Sequence, residues 1–285
     1  MHNIPVMMLL AIMMTACGVE YGEGTGDARL DSTASLPTQT GYALTVSGSS
    51  SSAACLFDLE PVDGWSYQTP QTATIGVAAV ELLRSVDDTN PHLLVGSAPA
   101  HAADLVEGTT FAQVDTGSIP EGTYTHMRIK LDYVDFEVSA TGHMGGFSLP
   151  GALDVDYVLS DHDSEARGAQ SQGEYVAKFT AAGMEVPQAG VRPVEYPPSY
   201  PEATVATDGG EYWVTLAVPS GAIAISHERP DHVDVDVQFC IDSGFAWAEN
   251  QAPGHTDGVF DLDYDPAATE RPMSMAVRGF TMTVN

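Results

Sequence analysis

Across residues 123–138 the chain alternates apolar and polar side chains with a period of two. Met127, Ile129, Leu131 and Tyr133 fall on one side, and His126, Arg128, Lys130 and Asp132 on the other. Successive side chains of a strand point to opposite faces, whereas a helix repeats every 3.6 residues, so this segment reads as a strand with one buried face. After Tyr133 the phase inverts: Val134, Phe136 and Val138 are apolar, Asp135 and Glu137 polar. A strand cannot change phase without absorbing an extra residue, which predicts a β-bulge or bend near Tyr133–Val134.

Further strand candidates occupy residues 42–46, 72–84, 153–159, 174–180, 212–218, 233–241, 258–262 and 274–284. The run 72–84 ends in Val-Glu-Leu-Leu-Arg and reads equally as strand or helical turn. No window sustains a helical period with caps. The 27 Gly and 18 Pro punctuate the runs. Many short strands separated by such turns predict an all-β chain, an antiparallel β-sandwich of the transthyretin or Ig type with long loops and little helix. The Ser/Gly patch 47–52 reads as a loop. Five prolines between 187 and 201 mark a linker or long surface loop over 183–202.

Residues 4–14 form an uninterrupted apolar run. A spanning helix needs about 20 such residues, so the run suits the core of a secretory signal instead. Met14-Thr15-Ala16-Cys17 follows and resembles the lipobox of bacterial lipoproteins. Two features depart from the usual pattern: residues 1–3 carry no Lys or Arg, and Met14 stands where Leu is commoner. The resemblance implies cleavage before Cys17 and lipidation of its thiol. Residues 1–16 are then the signal, 17–40 a flexible tether rich in Gly, Ser, Thr and acids, and 41–285 the sandwich. Gly18, in place of Asp, implies the outer membrane. The expected membrane partner is the bilayer itself, reached through the anchor.

The 39 Asp and Glu against 10 Lys and Arg give a formal net charge of −29. None of these lies in residues 1–16, so the mature chain keeps the whole excess. Such a charge repels phosphate backbones and excludes nucleic acid as a partner class. It also argues against adhesion to anionic lipid through basic patches. An envelope protein or a glycan is the remaining partner class, and Tyr196, Tyr200, Tyr212, Trp213 and Trp247 are the aromatics that a sugar would stack on.

With Cys17 lipidated, Cys55 and Cys240 remain, an even number that suggests a disulfide in an oxidising compartment. The pairing stays open, because alternation puts Cys240 with Asp234, Asp236 and Gln238 rather than with Val233, Val235, Val237 and Phe239.

The stretch Ser118-Ile119-Pro120-Glu121-Gly122-Thr123-Tyr124-Thr125-His126-Met127-Arg128-Ile129, preceded by Val80-Glu81-Leu82-Leu83-Arg84, resembles an uncharacterised family of bacterial lipoprotein domains with a transthyretin-like β-sandwich. The resemblance covers roughly residues 41–140 and implies a fold and an address, with no activity.

Catalytic patterns are incomplete. Gly146-Phe147-Ser148-Leu149-Pro150-Gly151 falls short of a serine-hydrolase elbow, since Pro150 stands where Gly belongs and no helix follows. His227-Glu228-Arg229-Pro230-Asp231-His232 spaces its histidines by five, with a helix-breaking Pro between, which does not fit a zinc-protease helix. His227, Asp231 and His232 are nevertheless candidates for a loop metal site and the centre of a metal-dependent hydrolase. Calcium wants six to eight oxygen ligands. Asp257, Asp261, Asp263 and Asp265 are the richest source, in a loop able to fold against residues 247–250 and to make a calcium-stabilised adhesin. A second acidic loop, Asp161-His162-Asp163-Ser164-Glu165, lacks the glycine and terminal Glu that such a site needs. The leading expectation is a non-enzymatic binding or structural module without a cofactor.

Overall fold

The computed structural model describes residues 43–51, 55, 62–144, 146–164, 167–192, 194, 203–219, 221–228, 232–263, 265, 267–274 and 277–285. The signal, Cys17 and the tether lie outside the described residues, as do Asp231, Tyr196 and Tyr200.

Twenty strands follow in order: β1 (Ala43–Ser50), β2 (Trp65–Gln68), β3 (Thr72–Leu83), β4 (His92–Asp104), β5 (Thr109–Asp115), β6 (Gly122–Tyr124), β7 (His126–Met144), β8 (Phe147–Val158), β9 (His162–Ser164) and β10 (Gly168–Gln170). The remainder are β11 (Glu174–Ala181), β12 (Met184–Val191), β13 (Ala203–Ala206), β14 (Trp213–Ala217), β15 (Ile223–Ile225), β16 (Val233–Cys240), β17 (Phe245–Ala248), β18 (Phe260–Asp263), β19 (Arg271–Ser274) and β20 (Gly279–Val284). The chain is all-β and sandwich-like, with mostly antiparallel pairing. Among the described residues, helix is confined to two short 3-10 turns.

β7 organises the largest sheet. On one edge it pairs with β14 through residues 126–130 and then with β8 through residues 133–144. On the other edge it pairs with β3 and, at its end, in parallel with β18. The changeover coincides with a bulge: Ile75 faces Val134 and Val77 faces Leu131, so Asp132 and Tyr133 oppose the single residue Gly76. This is the irregularity expected from the phase flip, and Gly76 makes room for it, because a Cβ there would overlap the Tyr133 ring. Both halves of β7 keep their apolar residues buried, from Met127 to Leu131 and from Val134 to Val138.

A second sheet runs β20-β16-β1-β5, with β1 and β16 parallel. Its Leu44, Val46, Val235, Val237, Phe239 and Met282 share one hydrophobic core with Ile75, Val80, Ile129, Phe136 and Val155 of the large sheet. A three-stranded sheet, β19-β17-β2, closes one side. Its Phe245 and Trp247 are fully buried and meet Phe260 edge-on, with centroids 5.2 and 5.8 Å away.

Two local expectations change, and one left open is resolved. Residues 47–50 continue β1 rather than forming a loop, because Gly48 slots between the Phe111 and Phe239 rings, where a side chain would collide. Run 72–84 is strand throughout to Leu83, paired on both edges. The proline-rich segment begins as an exposed strand, β12, which closes a hairpin with β11. Pro187 is tolerated there because β12 is an edge strand, with no further ladder for the missing N–H to supply.

Cys55 and Cys240 form a disulfide, with Cα atoms 4.9 Å apart. Cys240 ends β16 buried beside Phe239, so both faces are covered at that point and the alternation no longer separates them.

Candidate functional site

Where β18 docks on the end of β7, Asp261 faces Thr141 and Asp263 faces His143 in register. Residues two apart on a strand share a face, so this pairing gathers His143 and the two aspartates on one side. The loop between β17 and β18 adds His255. Its position follows from the turn Ala252-Pro253-Gly254-His255, in which the His255 N–H bonds to the Ala252 carbonyl at 3.2 Å. Gly254 has φ +98°, the left-handed backbone that the third residue of such a turn requires. The His255 ring stacks on that of His143, with centroids 4.9 Å apart and planes 27° apart.

Glu270 enters from the residue before β19. Its N–H bonds to the Asp261 carbonyl at 3.0 Å. Its Oε2 accepts the Asp261 N–H at 2.6 Å and its Oε1 the Asn250 N–H at 3.2 Å. Glu249, following β17, accepts the Gly258 N–H at 2.9 Å. The acidic loop does fold against residues 249 and 250.

Asp261 is the hub, and it is fully buried. Its Oδ1 lies 2.7 Å from His143 Nε2, and its Oδ2 accepts the Thr256 N–H at 2.8 Å. A carboxylate only accepts, so Nε2 of His143 carries a proton, and in the neutral ring Nδ1 keeps the lone pair. Ser148, opposite His143 in the β7–β8 hairpin, has its hydroxyl 3.0 Å from that Nδ1, which accepts from it in the neutral ring. The result is a serine–histidine–aspartate chain. It reverses the ring nitrogens of the usual hydrolase triad, which holds serine at Nε2. Ser148 sits within a paired strand, not at a strand–helix turn, and among the described residues no α-helix follows to supply oxyanion donors. The chain fixes the orientation of His143.

His255 is sunk deeper than its loop suggests, with a side chain only 3 % exposed. Its Nδ1 is 3.1 Å from the Asn250 carbonyl. A carbonyl cannot donate, so Nδ1 carries a proton, and in the neutral ring Nε2 presents a lone pair. Among the described residues that Nε2 has no hydrogen-bond partner. Asp261 Oδ2 lies 4.0 Å from Nδ1, and Asp263 Oδ2 lies 3.9 Å from Nε2.

The electrostatics are strained by like charge. Burial pushes the Glu270 carboxyl up to about 8, with the adjacent Glu249 adding to the rise against the two backbone N–H groups that lower it. Burial also raises Glu249, but hydrogen bonds from Ser66, the Gly258 N–H and Glu270 outweigh it and hold that carboxyl below its ordinary value. Glu270 also lines a cleft of about 200 Å³ with Tyr175, Arg192, Thr269 and Arg271.

The sequence candidates are distributed as follows. Asp261 and Asp263 belong to this cluster. Asp257 is exposed and accepts from Gln251 Nε2 at 3.3 Å, and Asp265 is exposed and accepts the Ala267 N–H at 3.0 Å. His227 contacts the Ile119 carbonyl at 2.9 Å, and His232 pairs with Asp234 at 3.0 Å. Neither falls in a set of three clustered metal-capable side chains among the described residues. The one such set is His255, Asp261 and Glu270. Asp161 accepts the Gln172 N–H at 2.7 Å. Of the aromatics, Tyr212 and Trp247 are core, and Trp213 is covered by the Arg128 guanidinium 4.5 Å above its ring. His143, Glu249, His255 and Glu270 were not singled out by the sequence. The Pro-Gly turn before His255 and its nearness to the acidic run were the available signals. Comparison of the chain with protein-family models, with curated proteins and with solved structures finds no match.

Proposed function

We propose that the protein is a lipid-anchored module of the bacterial cell envelope, seated in the outer membrane, whose β-sandwich binds or braces an envelope protein or glycan and catalyses no reaction. The observation that carries this reading is the apolar run 4–14 closing on Thr15-Ala16-Cys17. The signal core is too short to span, and the cysteine follows small residues at the place where a lipoprotein is cut and acylated. Each buried acyl methylene contributes about 0.8 kcal/mol, so two or more chains hold the protein where one would be marginal. The Cys55–Cys240 disulfide supports the address, since such bonds persist in oxidising compartments outside the cytosol. The charge of −29 supports a well-solvated domain that keeps clear of anionic headgroups. The transthyretin-like lipoprotein domains are the family that this reading places it beside.

Intact-mass spectrometry of the native protein tests the proposal. A chain beginning at Cys17 and carrying diacylglycerol is expected, and Cys17→Ser should release the protein from membranes. An unmodified Cys17, or a serine variant that stays membrane-bound, overturns it.

A further inference from the structure

We propose that His255, Asp261 and Glu270, with Asp263 beside them, bind one divalent transition-metal ion of the zinc class. One ligand atom each of His255, Asp261 and Glu270 lies within 4.8 Å of the other two, and Asp263 Oδ2 lies 3.9 Å from His255 Nε2. Bonds from zinc to nitrogen or oxygen are about 2.0–2.2 Å, so atoms on one ion stand about 3–4 Å apart. Closing the difference takes small side-chain movements and no refolding.

An acidic cluster alone would not identify a site. Here a second feature points the same way: the buried imidazole of His255, whose Nε2 has no partner among the described residues and faces Asp263 at 3.9 Å. A ring nitrogen shut away from water with an unused lone pair costs free energy unless something accepts it. Metal-bound histidines characteristically donate their other N–H to a backbone carbonyl, which fixes the tautomer. The 3.1 Å contact from Nδ1 to the Asn250 carbonyl is that arrangement.

The surroundings are those of a supported ligand set. Asp261 is held by His143 at 2.7 Å and by the Thr256 N–H at 2.8 Å, with Ser148 behind His143. Both Glu270 oxygens are held by backbone N–H groups. An oxygen that accepts one hydrogen bond keeps a lone pair for a cation. A divalent ion would offset the acidic character gathered at this buried position. Imidazole with carboxylates suits zinc and its neighbours, whereas calcium takes oxygen ligands alone. Asp257 and Asp265, needed to build an oxygen cage, are engaged elsewhere on the surface.

The test uses the full-length lipoprotein purified in detergent and stripped with chelator. Calorimetry with Zn²⁺ should show one equivalent bound, and Co²⁺ should give a visible band typical of low-coordinate nitrogen and oxygen ligation. Glu270→Gln and His255→Gln should each weaken binding about tenfold or more, and His232→Ala should leave it unchanged. The inference is overturned if the wild type takes up no stoichiometric Zn²⁺, if both variants bind as the wild type does, or if Ca²⁺ binds as tightly as Zn²⁺. Should either variant fail to fold, the wild-type Co²⁺ spectrum decides: a weak octahedral spectrum refutes the site. None of these outcomes depends on the state of Cys17.

Discussion

Asp135 offers a direct test of how this sheet handles its charge. It lies on β7 directly opposite Asp156 of β8, and the next pair on that face is Glu137 with Asp154. Like charges placed opposite one another across a sheet are destabilising. Burial, then repulsion from Asp154 and a hydrogen bond to it, push the Asp135 carboxyl up from 3.8 to about 7, despite the opposing influence of Arg167 and Lys178. The folded state therefore holds this proton after the unfolded chain has released it. The stabilisation is complete below about pH 4 and is lost as pH rises towards about 7. At about 1.36 kcal/mol per pH unit, the loss reaches at most about 4 kcal/mol. Partial exposure and the sharing of the proton with Asp154 bring the expected value to about 1–4 kcal/mol. Asp135→Asn keeps the shape and the hydrogen bond but cannot ionise. Urea unfolding of both proteins at about pH 3, 6 and 8 should show the variant gaining stability over the wild type as pH rises, with near equality at about pH 3. Titrating groups that do not interact with Asp135 cancel in the difference. Curves that stay parallel within about half a kcal/mol would refute the argument.

Two further outcomes follow from the fold. The Cys55–Cys240 bond closes a loop of 185 residues, for which chain entropy gives a stabilisation of about 5 kcal/mol; the double variant Cys55→Ala/Cys240→Ala should unfold at a much lower urea concentration, and an unchanged midpoint would sink that estimate. Gly76→Ala should cost about 1–3 kcal/mol, because the new methyl overlaps the Tyr133 ring at the bulge. A neutral effect in thermal melting would mean that β3 and β7 can slip past each other there.

Much of the strand content was legible because strand periodicity is local. The alternation in β7, its change of phase and the apolar faces of β3, β11 and β16 all belong to a few consecutive residues. The strands that escaped notice lack that signal. β4 is partly or fully exposed along its length except at Ala103, and β12 is exposed on both faces. An edge strand of that kind is held by its ladder, not by burial. The proline count over 183–202 argued for a loop for the same reason: nothing in the sequence says that Pro187 falls where no partner strand needs its N–H.

The candidate site divides along the same line. From the sequence alone came the acidic run containing Asp261 and Asp263, a loop able to fold against residues 247–250, the negative charge, the short apolar run 4–14 ahead of Cys17, and the all-β class. Only the tertiary structure decided which acids are buried and what they meet. The parallel pairing of β18 with the end of β7 brings His143 to Asp261 across 118 positions of chain. The turn at Gly254 lays His255 on His143, and Glu270 arrives from the residue before β19. Side-chain alternation is set by each residue's own backbone, whereas a ligand set needs several distant backbones held in one register. That register depends on the packing of the whole sandwich.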